Sequence, residues 1–269
     1  MPSLASTDGT SLYYEESGTG TPVLFIHEFA GNHRTWTAQV ASLGKTHRCI
    51  AYSARGYPPS DVPDSDDAYG QDIAVGDAIA VLNALNIERA HIVGHSMGAY
   101  TALHVGLNHP DEREKARGLC EDIALMFREK PIAESAAAYA RFPMRHTFEA
   151  KDPAGFAAFE EILGGLSPEG AALTMLNLQR DRPTLRDMQQ NLKNFTLPLL
   201  VLVGDEDHPC LDGSLFLKRT VPTAALQIVP RAGHTITMEE PAIVNAALAD
   251  LFAAASDGTW MNHRKDDNS

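Results

Sequence analysis

Short continuous apolar runs alternate along the chain with longer stretches in which apolar residues recur at helical spacing. Pro22-Val23-Leu24-Phe25-Ile26, Arg48-Cys49-Ile50-Ala51-Tyr52, Ala90-His91-Ile92-Val93, Leu197 to Val203 and Ala224 to Val229 read as strands, and such runs are expected where both faces of a sheet are buried. Ser11 to Glu15, after the turn Asp8-Gly9-Thr10, reads as a further strand. Asn32 can cap a helix running to about Leu43. Ile73, Val75, Ile79, Val81, Leu82 and Leu85 predict a helix from Gln71 to about Asn86. Ala99 to Leu107, Leu215 to Thr220 and Pro241 to Ala255 read as helices, the first ending before His109-Pro110. This alternation predicts an α/β fold with a mostly parallel sheet and helices on both faces.

Between Asp111 and Asn194 the texture changes. Ala116, Leu119, Cys120, Ile123, Met126 and Phe127 form one helical face, and helical runs follow over Ile132–Ala140, Pro153–Leu163, Gly170–Leu178 and Thr184–Asn194. The organisation expected is a core formed by residues 1–110 and 195–255, a helical insertion over 111–194, and a poorly ordered tail over 256–269 with an anchor at Trp260. Ligands of open α/β sheets bind beyond the carboxyl ends of the strands, where this insertion leaves and rejoins the core. The insertion is therefore expected to cap a site. Phe142, Phe148 and Phe156 are candidates to face a substrate there, or else they hold the cap helices together.

Composition narrows the functional classes. Of 269 residues, 44% are hydrophobic and 21% charged, which suits a globular protein with a sizeable core. The net charge of −13 argues against nucleic acid and anionic membrane surfaces as partners and mainly favours solubility. Cys49, Cys120 and Cys210 are few, odd in number and without CxxC spacing, which suggests reduced thiols and a cytoplasmic location. Neither a signal peptide nor a membrane-spanning run is read from the sequence.

The candidate chemistry centres on Gly94-His95-Ser96-Met97-Gly98, set between an apolar strand and a helical run. Strand, G-x-S-x-G, helix is the context of a nucleophile elbow, in which a tight turn holds a strained serine with its hydroxyl exposed. A serine hydroxyl needs a base, and the base needs an orienting group. His234, in the loop after the last strand, is the expected base. Asp207, after the strand that starts near Leu199, is the preferred acid, with Asp205 the alternative; either could instead cap the next helix. The chain order Ser96, Asp207, His234 suits this elbow. The N–H of Met97, after the nucleophile, is one expected oxyanion donor.

With the loop His27-Glu28-Phe29-Ala30-Gly31 after the strand ending at Ile26, the sequence resembles the α/β-hydrolase superfamily along nearly its whole length. The resemblance implies that Phe29 N–H is the second oxyanion donor. It implies a serine hydrolase acting on a small carboxylic ester or lactone, with the texture of enol-lactonase-like and arylesterase-like enzymes and with neither cofactor nor metal. Cleavage of a carbon–carbon bond in a dienoate is the alternative, and a non-catalytic binding protein is the reading from another class. Epoxide hydrolases and dehalogenases require aspartate at position 96. His27-Glu28 lacks the H-E-x-x-H spacing of a zinc site. The chain departs from the family at two places. Glu28 replaces the usual glycine and is read either as turned away or paired with a base such as Arg55, or as a substrate-contacting or proton-handling acid. The usual sixth strand is not evident: either Leu119 to Ala124 substitutes for it, or the sheet is one strand short and the strand carrying Asp207 pairs beside the elbow strand.

Overall fold

A computed structural model describes residues 2–107 and 117–260, with the backbone alone for residues 106, 107 and 117–119. Ala116 and the tail from residue 261 lie outside the described residues. Seven strands are present among them: β1 (Ser3–Ala5), β2 (Ser11–Ser17), β3 (Thr21–Ile26), β4 (His47–Tyr52), β5 (His91–Gly94), β6 (Leu199–Gly204) and β7 (Ala224–Val229). The first helices are α1 (Thr37–Leu43), α2 (Gln71–Ala84), α3 (Met97–Leu107), α4 (Arg117–Glu129), α5 (Ile132–Ala140) and α6 (His146–Lys151). They are followed by α7 (Pro153–Gly164), α8 (Pro168–Leu173), α9 (Gln189–Lys193), α10 (His208–Thr220), α11 (Ile236–Glu239) and α12 (Pro241–Ser256). No described helix is long and apolar enough to cross a membrane.

The described residues form two compact units. The first holds residues up to 105 together with 117–140 and 157–182; the second holds 141–156 and 183–260. In the first unit the strand order is β1-β2-β4-β3-β5, with β3 parallel to β4 and β5, and β2 antiparallel to β1 and β4. Strand β3 lies between two neighbours, and Val23, Leu24, Phe25 and Ile26 are buried, which is why its sequence is a run rather than an alternation. Leu12, Leu24, Ile26, Ile50, Tyr52, Ala78, Val81 and Ile87 form one core cluster beneath α2. Ile26 pairs with both Tyr52 and Gly94, so β3, β4 and β5 end level, and the loops beginning at His27, Ser53 and His95 leave together.

In the second unit β6 and β7 pair in parallel over their whole lengths, Gly204 opposite Val229. Strand β6, which precedes Asp207, has β7 as its partner within this unit. Leu119 to Ala124 does not substitute for a strand, because it lies in α4. Cys120, Ile123, Ala124 and Phe127 are buried while Glu121, Asp122 and Leu125 are exposed, a helical stripe that a strand could not bury on one side. Between α4 and β6 every described regular element is helical.

Several boundaries differ from the sequence expectation for local reasons. Asn32 caps a 3-10 turn, His33–Trp36, by accepting from Arg34 N–H, and α1 follows that turn. Helix α10 starts at His208, not Leu215, because Pro209 falls in its first turn, where a missing N–H costs nothing. Thr184 to Asp187 forms a turn closed by Thr184 N–H on the Asp187 carboxylate, which leaves only Gln189–Lys193 as α9. After α12, Trp260 Nε1 donates to Thr223 O at 2.7 Å and anchors the start of the tail.

Candidate active site

Ser96 sits between β5 and α3 with φ +50, a left-handed conformation that is strained for a residue with a side chain. The turn is closed by His95 N–H on Ile26 O at 3.0 Å, Gly98 N–H on His95 O at 2.8 Å and Ala99 N–H on Ser96 O at 3.0 Å. A Cβ on Gly94 would run into the Gly98 carbonyl, and one on Gly98 into the Ile26 carbonyl, so the two flanking glycines are required by the closeness of backbones. Met97 opens α3, where the first N–H groups have no carbonyl of their own helix within reach.

The loop after β3 is held from both sides. His27 is fully buried; its Nε2 accepts Ala54 N–H at 3.0 Å, so its Nδ1–H donates to Glu28 O, 2.6 Å away. Burial lowers the His27 pKa from 6.5 to about 4, so the ring is neutral at physiological pH and acts as a rigid brace. Phe29, the residue after Glu28, is buried with its ring edge-on to Phe127 of α4 at 5.7 Å and Tyr139 of α5 at 5.2 Å. Tyr57 joins loop and elbow: its ring meets His27 at 4.6 Å and its hydroxyl lies 3.9 Å from Met97 Sδ.

The His27 brace predicts a pH effect on stability. A histidine whose folded pKa is depressed is protonated first in the unfolded chain, so its contribution is whole above pH 6.5 and is lost as pH falls toward 4. Between pH 7 and 4.5 that loss should be about 2–3 kcal/mol. His27→Gln keeps an acceptor for Ala54 but does not titrate. Urea unfolding at the two pH values should therefore show a correspondingly smaller drop in the variant than in the wild type; equal drops would remove His27 as the source.

Glu28 is buried, with Oε1 3.5 Å from His95 Nδ1. It does not pair with Arg55. All five Arg55 donors are engaged elsewhere: Nε and Nη2 on Asp77 at 2.7 and 2.6 Å, Nη2 also on Ser6, and Nη1 on Asp8 and Ala68 O.

The second unit brings Asp207 and His234 together. His234 Nδ1 lies 2.8 Å from Asp207 Oδ2, and both residues are buried. Asp205 is directed elsewhere, its Oδ1 accepting Ala232 N–H at 3.3 Å. Level strand ends set this up: Asp205 N–H binds Val229 O and Glu206 N–H binds Ala232 O, so the acid loop and the histidine loop run side by side. Cys210 Sγ, in the first turn of α10, lies 3.7 Å from the same His234 Nδ1. These three residues are the described group within this unit that could hold a metal ion.

Other residues hold the histidine loop and were not singled out in the sequence. His234 N–H donates to Met144 O at 2.8 Å, Gly233 N–H to Glu239 Oε2 at 2.8 Å, and Arg145 Nε to Thr235 Oγ1 at 3.0 Å. Lys151 Nζ lies 3.0 Å from Glu239 Oε1. Charged residues are normally solvated, so nothing local marks Arg145 or Glu239 as buried. Among the aromatics of the helical stretch, Phe148 and Phe156 are buried and pack edge-on at 5.7 Å, whereas Phe142 is half-buried.

A family model described as "Alpha/beta hydrolase family" matches residues 23–247. A 2-hydroxymuconate semialdehyde hydrolase of a Pseudomonas species is 28% identical over 258 residues, covering 89% of each chain. An epoxide hydrolase of Caballeronia sordidicola is 37% identical over 115 residues, but the match spans 42% of this chain and only 35% of that protein. Two solved structures share the fold at low identity. A thermophilic esterase from Thermogutta terrifontis has TM-score 0.81 at 23% identity over 94% of this chain and 98% of its own. An enol-lactonase from Burkholderia xenovorans has TM-score 0.79 at 21% identity over 94% and 100%.

Proposed function

From the premise that the chain belongs to the alpha/beta hydrolase family, we propose that it is a serine hydrolase that cleaves a small carboxylic ester or lactone through an acyl-enzyme. The observation that carries this reading is the buried 2.8 Å bond between His234 Nδ1 and Asp207 Oδ2. Asp207 holds the proton on Nδ1, which leaves the Nε2 lone pair for the Ser96 hydroxyl. Ser96 Oγ attacks the carbonyl carbon while His234 takes its proton. The oxyanion is held by the N–H groups of Phe29 and Met97, each worth on the order of 3 kcal/mol in the transition state. His234 then gives its proton to the leaving alkoxide, and in a second round it activates the water that releases the acid. Ser96 favours this route over epoxide opening, in which an aspartate attacks. The helices over 117–193 act as a cap that excludes water and selects the acyl group.

A second reading, hydrolysis of a carbon–carbon bond, is favoured by the semialdehyde hydrolase relative with its 89% coverage of both chains. Labelling with a fluorophosphonate, followed by peptide mapping, tests the shared step: the label should sit on Ser96, and an unlabelled Ser96 in folded protein would leave a binding protein as the better reading. Turnover of short p-nitrophenyl esters, simple lactones and a dienoate then separates the two chemistries.

The aromatics of the helical stretch divide by packing. Phe148→Ala should lower stability by about 3–5 kcal/mol and leave the ranking of ester substrates alone. Phe142→Ala should instead shift the relative kcat/KM of short and bulky esters by roughly tenfold or more. An unchanged ranking in Phe142→Ala would take Phe142 out of the substrate pocket.

A further inference from the structure

Three donor atoms of different chemistry converge on the loop that carries His234. His234 Nδ1 lies 2.8 Å from Asp207 Oδ2 and 3.7 Å from Cys210 Sγ, and the nitrogen, the sulfur and a carboxylate oxygen all lie within 4.8 Å of one another. Asp207 is the N-cap of α10 and Cys210 lies in its first turn, so one helical turn directs both at the imidazole. The imidazole's own loop is tied down by Met144 O and Glu239. Asp207 and His234 are buried, while Cys210 is half-buried and offers a way in from solvent.

An imidazole nitrogen, a thiolate and a carboxylate are a donor set for a borderline-soft divalent cation, with zinc as the type case. Bonds of about 2.0–2.3 Å arranged tetrahedrally place neighbouring donors roughly 3.5 Å apart. The observed separations of 2.8 and 3.7 Å lie on either side of that value and all three donors lie within 4.8 Å, so the His234–Asp207 pair must open by about 0.7 Å to admit an ion. No step proposed for ester cleavage uses Cys210.

We propose that Asp207, Cys210 and His234 form an inhibitory site for zinc or another thiophilic divalent cation, with water as the fourth ligand. On binding, the Cys210 thiol gives its proton to solvent and the sulfur bonds the ion. His234 bonds it through Nδ1, and the proton that Nδ1 carried ends on Nε2, so one proton is released per ion and the imidazole remains neutral. Nε2 then bears a hydrogen in place of a lone pair and cannot accept the Ser96 proton, while the Asp207 carboxylate is drawn to the metal. Metal and Asp207 thus select opposite tautomers of one ring. The inhibitory consequence rests on His234 being the base; the binding does not.

The test separates the two. The full chain, freed of metal with EDTA and dialysed, is titrated with Co2+ alone and followed by absorption; Zn2+ is titrated separately against p-nitrophenyl acetate hydrolysis. One Co2+ per chain should produce a thiolate-to-cobalt charge-transfer band, and that band should vanish in Cys210→Ser and Cys210→Ala. Zinc should inhibit the wild type reversibly, and each variant should need at least tenfold more zinc for half-inhibition. No thiolate band in the wild type, or a band that survives in both variants and so belongs to Cys49 or Cys120, overturns the site. A band that depends on Cys210 with zinc-loaded protein turning over at the metal-free rate overturns inhibition, and with it His234 as the base. The same band in a chain without esterase activity supports the site and counts against ester hydrolysis instead.

Discussion

Ser96→Ala is expected to lower kcat for ester hydrolysis by on the order of a millionfold while the protein keeps its native circular dichroism and melting temperature. The size follows from the way a nucleophile and its base act as a unit: without Oγ no acyl-enzyme forms, and His234 and the oxyanion donors alone give only residual catalysis. The fold should survive because alanine keeps the Cβ that the turn already accommodates at φ +50, and the hydroxyl is not what closes the turn. That work is done by the backbone bonds of His95, Gly98 and Ala99. Pre-steady-state kinetics on p-nitrophenyl acetate would add a second readout, since the burst of p-nitrophenol should vanish with the hydroxyl. Turnover at the wild-type rate in folded Ser96→Ala would remove Ser96 as the nucleophile.

Asp207→Asn should cost about 10⁴-fold in kcat, and Asp205→Asn less than tenfold. An asparagine at 207 turned with its NH₂ toward Nδ1 donates to that nitrogen, so the imidazole carries its proton on Nε2 and the base is lost without any change of shape. At 205 the side chain accepts Ala232 N–H, which an amide oxygen also does. Rates of both variants at saturating substrate decide the matter. The reverse ranking would show that Asp205 reaches the histidine during turnover.

How far the sequence goes depends on the range over which each feature is encoded. Strands β3 and β6 are legible as apolar runs, and α5, α7 and α12 as periodic faces, because burial of a whole face repeats within a few residues; on α2 the face read from the sequence is only partly the buried one, since Ile79 is exposed and Asp77 buried. Strand β1 is only three residues, Ser3–Ala5, too short for any pattern. Helix α10 is obscured by Pro209 and Gly213, both tolerated where they fall. The segment from Leu119 to Ala124 is ambiguous as six residues and unambiguous as part of α4, because its charges at 121 and 122 need the solvent side of a helix.

The same contrast of range governs the site. By itself the sequence determined the elbow: two glycines around Ser96 between a strand and a helix make a local steric statement, and backbone contact at Gly94 and Gly98 supplies its reason. It also ordered the candidate acids and base along the chain. Only the tertiary structure decided which carboxylate faces His234, since Asp205 and Asp207 differ by two positions in one loop and their partners lie 27 residues away. Only it decided that Arg55 is saturated by Asp77 and Asp8, leaving Glu28 buried beside His95. It alone ties Arg145 to Thr235 across 90 residues and sets Cys210 against the imidazole. Apolar burial is periodic and therefore written locally. The pairing of buried polar groups is a one-to-one match between distant segments, and it exists only once the chain has folded.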